Sequence, residues 1–233
     1  MKLQYRETIR EACECFQRNI KLVLIAVGVE YIASFAFKAL QTYGENATKI
    51  PNTVTLPFAQ PYFILSLIVS IVSIVGVIAV ALVQPLLIIS VVNSEHNTSA
   101  SFSTMVSYIL RSAGRIVGTT ILVGLVVVGG YLLLIVPGII FSLMYSQAYY
   151  LSLIDGLGPM ESLKQSKILT KFNKKKIFNI YFLVGVLSLV IYMPLAFLKI
   201  PSYITNLFEY AWGGYMMILN YTIFKKLKSF QQA

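Results

Sequence analysis

One carboxylate stands alone inside an apolar stretch. Glu30 occupies about the middle of the run Leu22–Leu40, and a carboxylate at bilayer depth faces a protein interior or a watery path, because lipid cannot solvate its charge. Gln84, in the second apolar run, and Asn220, in the last, are the amides that could share a polar intramembrane site with it. The chemistry open to Glu30, Gln84 and Asn220 is proton or cation handling along a transport path. The plainer role is a carboxyl group that stays protonated or bonds one of those amides. A single acid with no intramembrane basic partner makes a thin relay, which favours the plainer role.

A second group is basic. Lys164, Lys167, Lys171, Lys174, Lys175 and Lys176 fall within thirteen residues, dense enough to engage phospholipid headgroups. Each such residue contributes about 1 kcal/mol beside an anionic surface. The bland alternative is that these charges only fix topology. Nucleic acid is disfavoured, since the lysines abut apolar runs and lack base-stacking context. Catalysis has little to work with. His96 is the only histidine and sits in the polar turn Asn93–Asn97, with both cysteines far off in sequence, so a zinc site lacks ligands. Neither a Gly-x-Ser-x-Gly elbow nor a GxxxxGK[ST] loop occurs. We expect no catalytic, cofactor or metal site. Cys13 and Cys15, two apart on a helix, point to different faces and read as reduced cytoplasmic thiols.

The elements that carry these residues are membrane helices. Hydrophobic residues make up 57% of the 233 and charged residues 12%, about half the share of an ordinary soluble domain, so lipid must cover part of the apolar surface. A span needs about 20 residues. The runs predict helices at Leu22–Leu40, within Tyr62–Val92, at Ile116–Ile135, Gly138–Ile154, Ile177–Leu198 and Ile204–Phe224. Between the first two lies a polar loop, Gly44–Pro57. Pro85 reads as a kink, or as the point beyond which the second run continues into the cytoplasm, and Pro137-Gly138 as the turn between the third and fourth spans. Gly129-Gly130 and Gly213-Gly214 read mainly as packing positions, and Trp212, Tyr210 and Tyr203 as an outer aromatic belt.

Charge orients the bundle. Sixteen of the nineteen basic residues fall in the N-terminal segment, around Arg111 and Arg115, in the lysine run, and at Lys225, Lys226 and Lys228; only Lys38, Lys49 and Lys199 fall on the other side. The positive-inside rule places the first set in the cytoplasm, and six crossings leave both termini there, in a multi-pass protein of the cytoplasmic (inner) membrane. Residues 1–21, with glutamates among the arginines, are not a cleavable signal.

The cytoplasmic segments have helical periodicity of their own. Tyr5, Ile9, Cys13, Phe16 and Ile20 form one stripe, Phe102, Met105, Ile109 and Ala113 a second, and Met160, Leu163, Ser166 and Leu169 a third, the last behind Gly158-Pro159 and Glu161, a helix start. Each precedes a pair of spans, which suggests three quasi-repeats. The chain is one integral membrane domain: an amphipathic helix at 1–21, helix pairs at 22–92, 99–154 and 158–224, the last two led by interfacial helices, and a basic tail at 225–233.

The stretch VPGIIFSLMYSQAYYLSLIDGLGPMESLKQSKILTKFNKKKIF, Val136–Phe178, resembles bacterial integral membrane proteins related to the membrane domain of glycerophosphoryl diester phosphodiesterases and to the YciC-like inner-membrane proteins. Pro137, Gly138, Asp155, Gly158, Pro159, Leu163, Lys164 and Ser166 carry the likeness, over roughly a fifth of the chain. It implies a six-helix-type bundle and no settled biochemical role; in the fused phosphodiesterases catalysis belongs to a separate soluble domain.

The fold expected is therefore all-α, a polytopic membrane bundle of six transmembrane helices in three quasi-repeats, each preceded by an amphipathic interfacial helix. The function expected is a non-catalytic scaffold or accessory protein contacting anionic lipid, a membrane-protein partner or a second copy of itself. The alternative is a small transporter or channel using Glu30.

Overall fold

The computed structural model describes residues 3–48, 82–98, 100–198 and 200–232. All regular structure among them is helical: α1 Tyr5–Arg18, α2 Ile20–Thr48, α3 Leu82–Glu95, α4 Phe102–Leu133, α5 Ile135–Tyr145, α6 Ala148–Ile154, α7 Pro159–Thr170, α8 Lys174–Phe197 and α9 Ser202–Gln232. Most of the second expected span and of the loop before it, with Lys2, Lys49, Lys199 and the Tyr203 side chain, lies outside the described residues.

Among the described residues two helices are long and apolar enough to cross a membrane. They are α4, of mean hydropathy 2.3, and Lys174–Leu195 of α8, of mean hydropathy 2.0. Only 17% of the apolar window of each is buried inside the protein, whereas a core helix of a soluble domain buries its apolar residues against neighbours. Leu125, Val128 and Leu132 of α4 and Phe182, Leu189 and Val190 of α8 all face outward.

Near Arg115 the interfacial stretch runs straight into the expected third span, as the sequence suggests; α4 is one rod of 32 residues, about 48 Å long at 1.5 Å per residue. The only breaker there, Gly114, is tolerated at a cost of about 1 kcal/mol. The chain turns at Leu134, whose backbone is extended (φ −164°, ψ 154°), and not at Pro137-Gly138. Pro137 falls in the first turn of α5, where its missing N–H leaves no bond unmade. Gly138 serves close approach instead: a Cβ there would lie 2.4 Å from the Tyr131 ring, and one on Gly130 would lie 3.1 Å from the Gly138 Cα. The segment expected as the fourth span is divided, α5 giving way to α6 at Ser146-Gln147. Pro85 is buried within the first described turn of α3.

The amphipathic stripes are also rotated. Helix α1 buries Thr8, Ala12 and Cys15, roughly a quarter turn from the expected stripe at 100° per residue; Tyr5 is 48% exposed. Small residues let α1 lie close against α9, while Phe16 meets Tyr215 edge-on. The start of this segment is tied down too, the Leu3 N–H donating to the buried Asn173 Oδ1 at 3.1 Å. In α7, Leu163, Ser166 and Leu169 are buried as the periodicity suggests, but Met160 is 64% exposed. A three-residue step drifts by about 60° per step, which carries Met160 to the opposite face.

Burial separates the two thiols of α1. Cys13 is exposed and Cys15 buried, and desolvation pushes the Cys15 thiol up from its ordinary value, with Glu95 adding to the effect. A raised pKa means less thiolate, the reactive form. At neutral pH a maleimide is therefore expected to modify Cys13 alone in the folded protein, and both thiols after unfolding. Equal rates in the folded protein would refute the packing of α1 on α9, and a Cys13→Ser variant provides the count of one.

The core gathers on α9, where Ile218, Leu219 and Ile223 are fully buried against Val23 of α2, Ile88 of α3, Leu153 of α6 and Ile177 of α8. Helix α9 runs past Phe224, so Lys225, Lys226 and Lys228 belong to its last turns rather than to a tail. They pair with Glu95 (2.9 Å), Glu11 (2.9 Å) and Asp155 (2.5 Å), and Glu95 also accepts from the Tyr221 hydroxyl at 2.8 Å. Trp212, half-buried, stacks on Phe208 and lies tilted against Tyr215.

Candidate functional site

Helix α7 presents two unlike faces. Gly158 precedes it in an extended conformation and Pro159 opens it, so the helix begins where the sequence places its start. Ser162, Leu163, Ser166, Leu169 and Thr170 face inward. Outward stand Met160, Lys164, Lys167, Ile168 and Lys171, with Phe172 (85% exposed) and Lys175 following at the junction with α8. Lys174 and Lys176 are half-buried.

Among the described residues no carboxylate lies within ion-pair distance of any of these six lysines, although the lysines of α9 each have one. Unpaired ammonium groups alternating with exposed Met160, Ile168 and Phe172 form a surface that is charged at its heads and apolar at its base. Such a face suits the boundary between headgroups and acyl chains.

The three polar residues of the apolar runs, Glu30, Gln84 and Asn220, are not one site. Glu30 and Gln84 line a small cavity of about 30 Å³ with Tyr210, Gly213, Gly214 and apolar neighbours, room for about one water molecule. The Glu30 carboxyl has no hydrogen bond among the described residues. One turn on, Ser34 donates to the Glu30 carbonyl at 2.7 Å and is itself bonded to the Tyr210 hydroxyl. Asn220 stands apart and accepts from the Tyr181 hydroxyl.

Tyr181, the partner of Asn220, reaches Ser146 and Gln147, members of a buried polar cluster that the sequence reading missed, built where α5 gives way to α6. The Met144 carbonyl, released there, accepts from Ser166 Oγ (2.8 Å) and Thr170 Oγ1 (3.2 Å) of α7. The Gln147 N–H donates to Ser166 Oγ at 3.3 Å and its Nε2 to Ser146 Oγ at 3.1 Å. Gln147 is fully buried, and its Oε1 finds no partner among the described residues. The signal was present as Ser146-Gln147 inside an apolar run and Ser166/Thr170 one turn apart on the inward face of α7.

His96 is exposed in the turn after α3, and among the described residues no three His, Cys, Asp or Glu side chains come together. No protein-family model matches the chain, and neither does any curated protein or solved structure.

Proposed function

We propose that this chain is a non-catalytic integral membrane scaffold or accessory protein that holds anionic phospholipid headgroups on the outer face of α7. The observation that carries this is the set of six lysines without carboxylate partners, interleaved with exposed apolar side chains. The finer reading is a bundle of six spans in three quasi-repeats, in the cytoplasmic membrane with both termini inside. Its supports are the outward apolar faces of α4 and α8, the clustering of basic residues on one side, and the likeness of Val136–Phe178 to the phosphodiesterase membrane-domain and YciC-like proteins. A membrane-protein partner or a second copy would dock beside the same face.

The test is lipid selectivity. Protein extracted from vesicles of equal phosphatidylglycerol and phosphatidylcholine is expected to retain phosphatidylglycerol in clear excess by native mass spectrometry, less so at 1 M salt, where the screening length shrinks to about 3 Å. Equal retention of the two lipids would sink the reading.

A second reading, transport, is favoured by one feature: the cavity between Glu30 and Gln84. On the scaffold reading, the protein in liposomes carries no proton or cation flux beyond empty liposomes, and Glu30→Gln changes nothing. Flux above that background, lost in a correctly folded Glu30→Gln variant, would make the chain a transporter.

A further inference from the structure

A groove of about 340 Å³ runs between α1 and α8, lined by Tyr5 and Ile9 on one side and Asn179, Ile180, Phe182 and Leu183 on the other. Ile180 is fully buried and forms its floor, while Phe182 (63% exposed) and Leu183 (49%) leave it open outward. Its polar end is defined by helix spacing. Lys175 lies four residues before Asn179, on the same face of α8, and is exposed with no carboxylate partner among the described residues. Its apolar end continues into Val186, Leu187 and Val190, all exposed along the same helix. The volume falls at the low end of the roughly 300–1,000 Å³ of ligand pockets, fitting a segment of chain rather than a whole lipid.

We propose that this groove is a specific site for one anionic phospholipid, distinct from the headgroup surface of α7. An acyl chain lies over Ile180 between Tyr5 and Leu183, and the phosphate sits against the Lys175 ammonium and the Asn179 amide. Charge complementarity selects the occupant, since the groove joins an unpaired cation to an apolar trough running down α8. A soluble peptide would meet that trough only where lipid already covers it. The site rests on the membrane reading of this chain, but it makes a separate claim. The α7 lysines attract many headgroups in fast exchange, whereas a chain held between two helices leaves slowly.

The experiment uses the full chain in micelles, reloaded with equal phosphatidylglycerol and phosphatidylcholine, and counts the phospholipids that survive activation in native mass spectrometry. Wild type is expected to keep one phosphatidylglycerol after the others are lost. Asn179→Trp fills the groove at an exposed position and is expected to cut that retained species about tenfold, the equivalent of about two buried methylene groups. Its overall preference for phosphatidylglycerol, set by α7, stays as in wild type. Lys164→Gln/Lys167→Gln/Lys171→Gln should do the reverse, lowering the preference and leaving the single tight lipid. An Asn179→Trp protein that unfolds at the wild-type temperature and still holds the tight lipid would overturn the groove site. So would a tight lipid that is phosphatidylcholine as often as phosphatidylglycerol. Loss of overall preference with a retained tight lipid in wild type would count against the α7 reading alone.

Discussion

Gly130→Val is expected to destabilise the protein by about 1–3 kcal/mol, the range for forcing extra atoms into a filled contact, while Gly129→Val beside it does little. The two glycines are adjacent in sequence but differ in surroundings. A Cβ at Gly130 would meet the Phe141 ring at 2.6 Å and the backbone of Gly138 at 3.1 Å, whereas nothing lies within 4 Å of one at Gly129. The aromatic ring could swing aside, but the backbone of α5 could not without opening the α4–α5 hairpin. Gly129→Ala should even help slightly, because Ala exceeds Gly in a helix by roughly 1 kcal/mol. Thermal unfolding of the two valine variants in the same detergent decides it, at roughly 2–4 °C per kcal/mol for a chain of this size. Equal midpoints would mean that α4 and α5 do not cross at Gly130 and Gly138.

The largest expected effect on binding comes from the lysines of α7. Replacing Lys164, Lys167 and Lys171 together by glutamine should remove about 3 kcal/mol of attraction to an anionic surface, at about 1 kcal/mol each. That corresponds to roughly a hundredfold in the preference for phosphatidylglycerol over phosphatidylcholine. Stability should change little, since these side chains are exposed and pair with no carboxylate among the described residues. The matched control is Lys225→Gln/Lys226→Gln/Lys228→Gln, which removes a similar charge from lysines that are already paired. A control that loses as much lipid preference as the α7 variant would show that net charge alone matters and that α7 is no site.

Helical class and the two outward apolar helices could be read from the chain because composition and run length report burial and lipid contact directly. The start of α7 was equally plain, since Gly158-Pro159 acts locally. What stayed hidden depends on partners distant in sequence. The stripe Tyr5, Ile9, Cys13, Phe16 and Ile20 is the most apolar side of α1, yet the small side chains of Thr8 and Ala12 decide which side meets α9. The turn at Leu134 is hidden because Pro137 looks like a breaker, yet it takes a place in the first turn of α5 as Pro159 does in α7. Glu30, Gln84 and Asn220 looked alike as polar residues in apolar runs; only the packing of α2, α3 and α9 separates the first two from the third. Gln147 escaped notice because an apolar run of that length reads as one unbroken span.

The three ion pairs at the end of α9 also order events in time. Glu11, Glu95 and Asp155 belong to α1, to α3 and to the turn after α6, all made before Lys225, Lys226 and Lys228 leave the ribosome. Chains emerge at about 5–20 residues per second, so the earlier helices wait several seconds with those carboxylates unmatched. The arrival of one helix end then supplies partners to all three elements within a single helical turn.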